Sequence, residues 1–192
     1  MHKGRLEAFS DGVIAIILTI MVLELKVPHG AELKDLAPLW PVFLSYLLSF
    51  TYIGIYWNNH HHLLQAVKSV SGGVLWSNMH LLFWLSLIPF ATAWMGENEF
   101  GPIPVALYGI VLFMAGCAYY ILAHMLILHL GRESVLAKAL GEDLKGKISI
   151  IIYAIAILLA IFYPLAACAL YVAVAILWLI PDRRIEKQIT HS

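Results

Sequence analysis

The sequence predicts an all-α integral membrane protein with six transmembrane helices and both termini on the cytoplasmic side. The composition, six apolar segments of membrane-spanning length and the distribution of lysine and arginine lead to this fold class. Of the 192 residues, 61% are hydrophobic and 12% are charged, whereas about a quarter of the residues in soluble domains are charged. The formal net charge is zero, so the composition gives no indication of nucleic-acid binding.

Six segments are apolar enough to cross a bilayer, for which a helix needs about 20 residues. They cover residues 9–26, 39–58, 73–95, 104–129, 148–163 and 165–180. The last two segments are short and meet at Tyr163 and Pro164, so one long helix kinked at the proline is the alternative. We predict six helices, in a single domain that covers residues 1–192.

The positions of lysine and arginine favour six helices over five. With the N-terminus inside, two of the 12 basic residues lie in outer segments, Lys26 and Lys34. The other ten lie in inner segments, as the positive-inside rule expects: Lys3, Arg5, Lys68, Arg132, Lys138, Lys145, Lys147, Arg183, Arg184 and Lys187. A five-helix arrangement would move the last three of these outside.

The residues before the first span, the longest polar loop and the two cysteines each support a further prediction. Glu7 and Asp11 interrupt the start of the first span, which is unlike a cleavable signal peptide. The polar stretch 131–147 has leucine and valine residues near helical spacing and predicts a short amphipathic cytoplasmic helix. Cys117 and Cys168 lie in apolar runs far apart in sequence, so we interpret them as buried small residues rather than disulfide partners or metal ligands.

The first span separates its apolar and polar residues onto different faces. At about 100° per residue, one stripe falls within an arc of about 100°, formed by Phe9, Gly12, Ile16, Thr19, Ile20 and Leu23. Ser10 and Asp11 lie about 120° and 140° away from Ile16. If the stripe faces an axis, these two side chains face the rest of the subunit, where they need hydrogen-bond donors.

Such donors are present near the inner ends of the second and third spans. Trp57, His61, Asn78 and His80 all carry N–H groups, and a carboxylate in a membrane is tolerated when groups of this kind bond it. The alternative for the histidines is a zinc or copper site built from His60, His61, His62 and His80. Consecutive histidines point in different directions along a helix, which favours an interfacial cluster without a ligand role.

Sequence motifs of enzymes are missing from the chain. It contains no nucleophile elbow, phosphate-binding glycine loop or pair of carboxylates with catalytic spacing. We therefore expect no enzymatic activity and no cofactor.

The residues RLEAFSD, at 5–11, resemble the R-x-x-x-F-S-D signature of the transmembrane protein 175 family, which are potassium channels. The similarity continues through GVIAIILTIMVLELKVP after the motif, WNNHHH at the end of the second span, and NMHLLFWLSLIPF in the third. The predicted six-helix length fits one repeat of that family over the whole chain.

This resemblance implies a homotetramer in a lipid bilayer, with the first helices around a central pore for potassium and other monovalent cations. Because the sequence shows no targeting signal and no extra domain, we expect a prokaryotic cytoplasmic membrane as its location. The resemblance places Ile16 at the narrowest point, Thr19 in a polar layer linked to selectivity, and Ile20 and Leu23 along the same constriction. It also assigns a second group to the network that ties the pore helix to its neighbours: the motif residues Arg5, Phe9, Ser10 and Asp11, with Trp57, His61, Asn78 and His80 as partners.

A pore of this kind lacks the carbonyl filter of familiar potassium channels, because the chain has no T-V-G-Y-G loop. An aliphatic ring can gate by dewetting and discriminate moderately between hydrated ions. Three other interpretations stay open. The stripe could be an ordinary lipid-facing or packing surface, the protein could be a proton-coupled transporter that uses Asp11 and His80, or the histidines could bind metal.

Overall fold

The computed structural model describes residues 3–65, 67, 69–131, 133–134, 136–137 and 144–179. Within these ranges the chain forms the following α-helices: α1 Lys3–Leu23, α2 Trp40–Gln65, α3 Gly72–Ser86, α4 Ile88–Glu97, α5 Pro102–Leu130, α6 Leu144–Ala160 and α7 Pro164–Leu179. A 3-10 helix, Leu33–Leu39, leads directly into α2. Among the residues that the structure describes, four stretches are long and apolar enough to cross a membrane, namely Lys3–Leu23, Leu33–Gln65, Gly72–Glu97 and Pro102–Leu130.

The helices overlap the predicted spans but differ at their ends. The first helix begins six residues before the predicted span, and the second ends seven residues after it. These extensions contain the polar residues that hydropathy excludes from a membrane span. Most of the predicted amphipathic segment 131–147 lies outside the described residues.

The third predicted span, 73–95, is two helices rather than one. α3 ends at Ser86 and α4 begins at Ile88, with Leu87 between them. Pro89 has no N–H to donate to the carbonyl one turn earlier, and its ring crowds that carbonyl. The amide of Leu87 bonds the Trp84 carbonyl at 3.2 Å in a tighter turn, so the helix breaks and restarts at this point.

Buried hydroxyl groups connect the helices in the interior. The hydroxyls of Thr92 and Ser49 are 2.7 Å apart and join α4 to α2, and the Ser49 and Tyr108 hydroxyls, 2.9 Å apart, extend the contact to α5. Tyr52 donates to the carbonyl of Tyr171 in α7 at 2.6 Å. Since an unpaired buried hydroxyl is costly, each of these bonds fixes the position of one helix against another.

The first helix lies at one side of this bundle. α1 packs against α2, α3 and α4, whereas α5 packs against α3, α4, α6 and α7. The chain turns at Phe162 and Tyr163 between α6 and α7, which then pack against each other. Consequently α1 has a covered face toward three helices and an opposite face that the described part of the subunit leaves open.

Candidate ion pathway and the network behind it

The two faces of α1 differ sharply in burial. Five residues spaced by three or four positions form its buried face: Leu6, Ser10, Ile14, Ile17 and Met21. The opposite face carries Ile16 at 60% exposure and Leu23 at 75%. Large aliphatic side chains with this much open surface require a cover, either lipid or another protein chain.

All four predicted pore residues lie on that open face. Ile20 is 43% exposed, and Thr19 is also exposed. The Thr19 hydroxyl donates to the Ala15 carbonyl at 2.9 Å. Its oxygen lone pairs are therefore free to accept a hydrogen bond or to face a cation.

Behind α1, a buried chain of hydrogen bonds connects three helices. The Asn78 amide of α3 donates to Ser10 Oγ of α1 at 3.0 Å, and Ser10 donates to the Leu6 carbonyl at 2.8 Å. On the other side, Asn78 Oδ1 accepts from His60 Nε2 of α2 at 2.7 Å. Ser10 and Asn78 are fully buried and His60 is 3% exposed, so each bond replaces one that water would otherwise provide.

Asp11 has its own partner at the edge of this network. The indole Nε1 of Trp57 donates to Asp11 Oδ1 at 3.0 Å, and the contact is exposed. A residue of α2 therefore holds the Asp11 carboxylate, next in sequence to Ser10 and its buried hydrogen bond. Together these contacts hold one end of α1 while leaving the Ile16 face free.

The structure changes which histidine belongs to the network. His61, expected as a partner, instead stacks on Trp57 with ring centroids 6.1 Å apart and bonds Gln65. His60 takes the inner place, because one residue turns a helix by about 100° and only one of two consecutive histidines can face α3. His80 also stays out of the interhelical network, since its Nε2 accepts from Trp84 in the same helix at 3.0 Å.

The two remaining motif residues lie on the surface. Phe9 is 51% exposed, and Arg5 makes no hydrogen bond or ion pair with any residue in the described ranges. Lys3, which the sequence did not single out, donates to the Leu64 carbonyl at 3.2 Å and pairs with Glu7 at 3.5 Å. A cation beside the last carbonyls of α2 is favoured by the helix dipole, and this general preference is the only sequence signal for its role.

The candidate metal site receives no support from the histidine positions. Within the part of the chain that the structure describes, no group of three histidine, cysteine, aspartate or glutamate side chains is placed to hold an ion. Cys117 and Cys168 are partly buried, in α5 and α7 respectively.

At the other end of α1, ion pairs organise the loop that follows the helix. Lys26 donates a hydrogen bond to the Glu97 carboxylate at the end of α4, and this charged hydrogen bond raises the pKa of the Lys26 ammonium group. Lys34 pairs with Glu32 at 2.8 Å. The chain after α1 is thus attached to α4.

The apolar helices and their exposed aliphatic surfaces define a multi-pass membrane protein, and the relatives of the chain narrow this class to ion channels. The family model for the endosomal/lysosomal potassium channel TMEM175 matches residues 5–89. A protein of Chryseobacterium sp. (strain P1-3) described as a potassium channel is 57% identical over 192 residues, which cover all of both chains. The chain belongs to the TMEM175 family of ion channels.

A solved structure and a vertebrate relative extend the comparison. The crystal structure of a lysosomal potassium-selective channel TMEM175 homolog from Chamaesiphon minutus matches with a TM-score of 0.80 and 26% identity, covering 94% of this chain and 97% of that chain. The endosomal/lysosomal proton channel TMEM175 of Gallus gallus is 30% identical over 147 residues, 67% of this chain and 29% of that protein. The fold is therefore that of a TMEM175 channel.

Proposed function

We propose that four copies of the chain assemble in a cell membrane with their α1 helices around a common axis and form a potassium-permeable pore. The observation that carries this proposal is the arrangement of α1. Its polar residues are anchored behind by Asn78 and Trp57, whereas Ile16, Thr19, Ile20 and Leu23 stand on its open face. The potassium-channel names of the bacterial relatives support potassium as the permeant ion.

In this proposal the constriction is a ring of Ile16 side chains, with Ile20 and Leu23 continuing the apolar wall. A narrow apolar ring expels water and so blocks ions until it widens. The Thr19 hydroxyl layer lies next to Ile16 and offers lone pairs that can replace part of the hydration shell. Because no ring of carbonyls replaces the whole shell, we expect moderate selectivity for potassium over sodium.

A flux experiment tests this proposal. The purified chain is reconstituted in liposomes with potassium or sodium gradients, and Ile16→Ala is compared with Ile155→Ala. Ile155 is a similarly exposed isoleucine, at 54%, on α6. We expect Ile16→Ala to raise flux and lower the potassium-to-sodium ratio by about threefold, because a shorter side chain widens an aliphatic constriction. Ile155→Ala should behave as the wild type.

The hydroxyl layer has a matched control in α2. Thr51 donates to the Leu47 carbonyl at 2.9 Å, the same bond that Thr19 makes in α1. Thr19→Val is expected to lower the selectivity ratio and Thr51→Val to leave it unchanged. Absence of any ion flux from the wild type would overturn the proposal. Saturable flux that requires a proton gradient would favour the transporter alternative.

A further inference from the structure

We infer that Glu24 is an electrostatic collector of cations at the outer mouth of the pore, and this inference rests on the proposed function. Glu24 follows Ile20 by one helical turn. Its amide nitrogen donates to the Ile20 carbonyl at 3.3 Å, so the helical path continues past Leu23. The exposed carboxylate therefore stands beyond the last apolar residues of the proposed pore wall.

The charge of the outer segments supports this role. The segments 24–35 and 97–99 carry five carboxylates against two lysines, a net charge of minus three per subunit with His29 neutral. The carboxylates are Glu24, Glu32, Asp35, Glu97 and Glu99. In a symmetric assembly this charge is repeated by every copy, so an excess of negative charge surrounds the outer end of the axis.

The two lysines of these segments make their direct ion pairs with carboxylates other than Glu24. Lys26 binds Glu97, and Lys34 binds Glu32. The Asp35 carboxylate accepts from the Glu32 amide at 3.0 Å, which occupies it at the start of the 3-10 helix. Glu24 makes no hydrogen bond or ion pair with any described residue. Lys26 attracts Glu24 electrostatically but makes its direct contact with Glu97, so the charge of Glu24 is only partly compensated.

An unpaired carboxylate at a pore mouth acts on ions before they enter. Like charges around a low-dielectric opening focus the field and raise the local concentration of counter-ions, and rings of acidic side chains serve cation channels in this way. The effect is long-range and falls with salt, because the Debye length shrinks from about 30 Å at 0.01 M to about 3 Å at 1 M. Glu24 thus acts on the rate of cation entry, whereas Ile16 and Thr19 act on selection.

The test is the single-channel conductance of Glu24→Gln in planar bilayers at low and high potassium concentration. We expect inward conductance to fall about threefold at 0.01 M potassium and to approach the wild-type value at about 1 M, where the charge is screened. The potassium-to-sodium ratio should stay unchanged. Glu99→Gln removes the same charge from the exposed turn between α4 and α5 and should have a much smaller effect.

A second test changes the charge at position 24 chemically, after the protein has folded and assembled. Its result therefore does not depend on how the Glu24→Gln variant folds. In Glu24→Cys, a sulfonate-bearing thiol reagent should restore low-salt conductance and an ammonium-bearing reagent should lower it further. The wild type, with Cys117 and Cys168, is the control for reaction elsewhere. Wild-type conduction with equal conductance of Glu24→Gln and Glu99→Gln at 0.01 M potassium would overturn this inference and leave the pore proposal intact. A wild type without conduction would overturn the pore proposal itself.

Discussion

Asn78 joins three helices with one side chain. Its amide nitrogen bonds Ser10 in α1 and its carbonyl oxygen bonds His60 in α2, and all three side chains are buried. A buried polar group that loses its partner costs more than the bond itself contributes, because water cannot replace the partner. The position of α1 therefore depends on this residue more than on any exposed residue of the motif.

Replacing Asn78 with leucine should destabilise the subunit. The substitution keeps a similar volume but leaves the His60 nitrogen without its acceptor, at a cost of about 1–3 kcal/mol. We expect a lower melting temperature in detergent, measured by the loss of the folded peak in size-exclusion chromatography. Asn98→Leu is the control, since the Asn98 side chain is exposed and, among the described residues, bonds only the Trp94 carbonyl. Equal melting of the two variants would contradict the anchoring role of Asn78.

At the residue scale, the sequence predicts that a hydrogen-bond network holds α1 against its neighbours, but it does not identify every residue of that network. The rotation of about 100° per helical residue places Ser10 on a different face from the Ile16 stripe. The hydrogen-bond donors of α2 and α3 are evident from the sequence. Whether His60 or His61 joins the network depends on how α2 is rotated about its axis relative to α3. The packing of many apolar residues determines this rotation. Arg5 and Lys3 are both basic residues in the first turns, and only tertiary structure brings Lys3 to the end of α2.

At the scale of elements, glycines determine how closely α5 approaches the last two helices. A Cβ atom at Gly109 would overlap the Tyr171 hydroxyl and lie 2.9 Å from Ile157 Cγ1. At Gly116, on the same helix, the nearest atoms lie 3.8 Å away. Small residues allow membrane helices to pack closely. At Gly109 the absence of a side chain allows α6 and α7 to approach the backbone of α5.

Gly109→Ala should therefore destabilise the subunit more than Gly116→Ala. Overpacking of a close contact costs about 1–3 kcal/mol, whereas the methyl group at position 116 meets its neighbours at ordinary contact distance. Thermal unfolding of both variants in the same detergent measures the difference. The account of this contact is wrong if Gly116→Ala is the less stable variant.

Hydropathy locates the helices but does not determine where each one ends. It measures the preference for lipid, while a helix continues into water wherever its backbone bonds and side chains allow. α2 thus extends past the apolar residues to Gln65. The break at Leu87 has a local sequence cause in Pro89, but a proline within an apolar run is also compatible with a kinked continuous helix.

At the scale of the whole molecule, the open face of α1 is an apolar surface that the described part of a single subunit does not cover. The face is apolar except for Thr19, and it lies opposite the covered face that anchors α1 to α2, α3 and α4. Sequence reasoning derives the stripe from helical geometry, whereas the proposal that the stripe lines a pore rests on the resemblance to the family.

Loss of the Asp11 carboxylate should weaken assembly more than selectivity. Asp11 bonds Trp57 on the side of α1 away from its open face, so Asp11→Ala loosens the orientation of α1 without changing the side chains on the open face. We expect a smaller tetramer fraction by native mass spectrometry and an unchanged potassium-to-sodium ratio in the channels that remain. A stable tetramer with altered selectivity would show that Asp11 acts on the ions themselves.

The most direct test of the pore assignment is block of potassium current by a water-soluble thiol reagent in single-cysteine variants lacking Cys117 and Cys168. The account predicts that Ile16→Cys is blocked, whereas Ile17→Cys, on the buried face at 3% exposure, and Ile155→Cys, at 54% exposure on α6, are not. Current through Ile16→Cys that persists, or block of Ile155→Cys to the same extent, would contradict it.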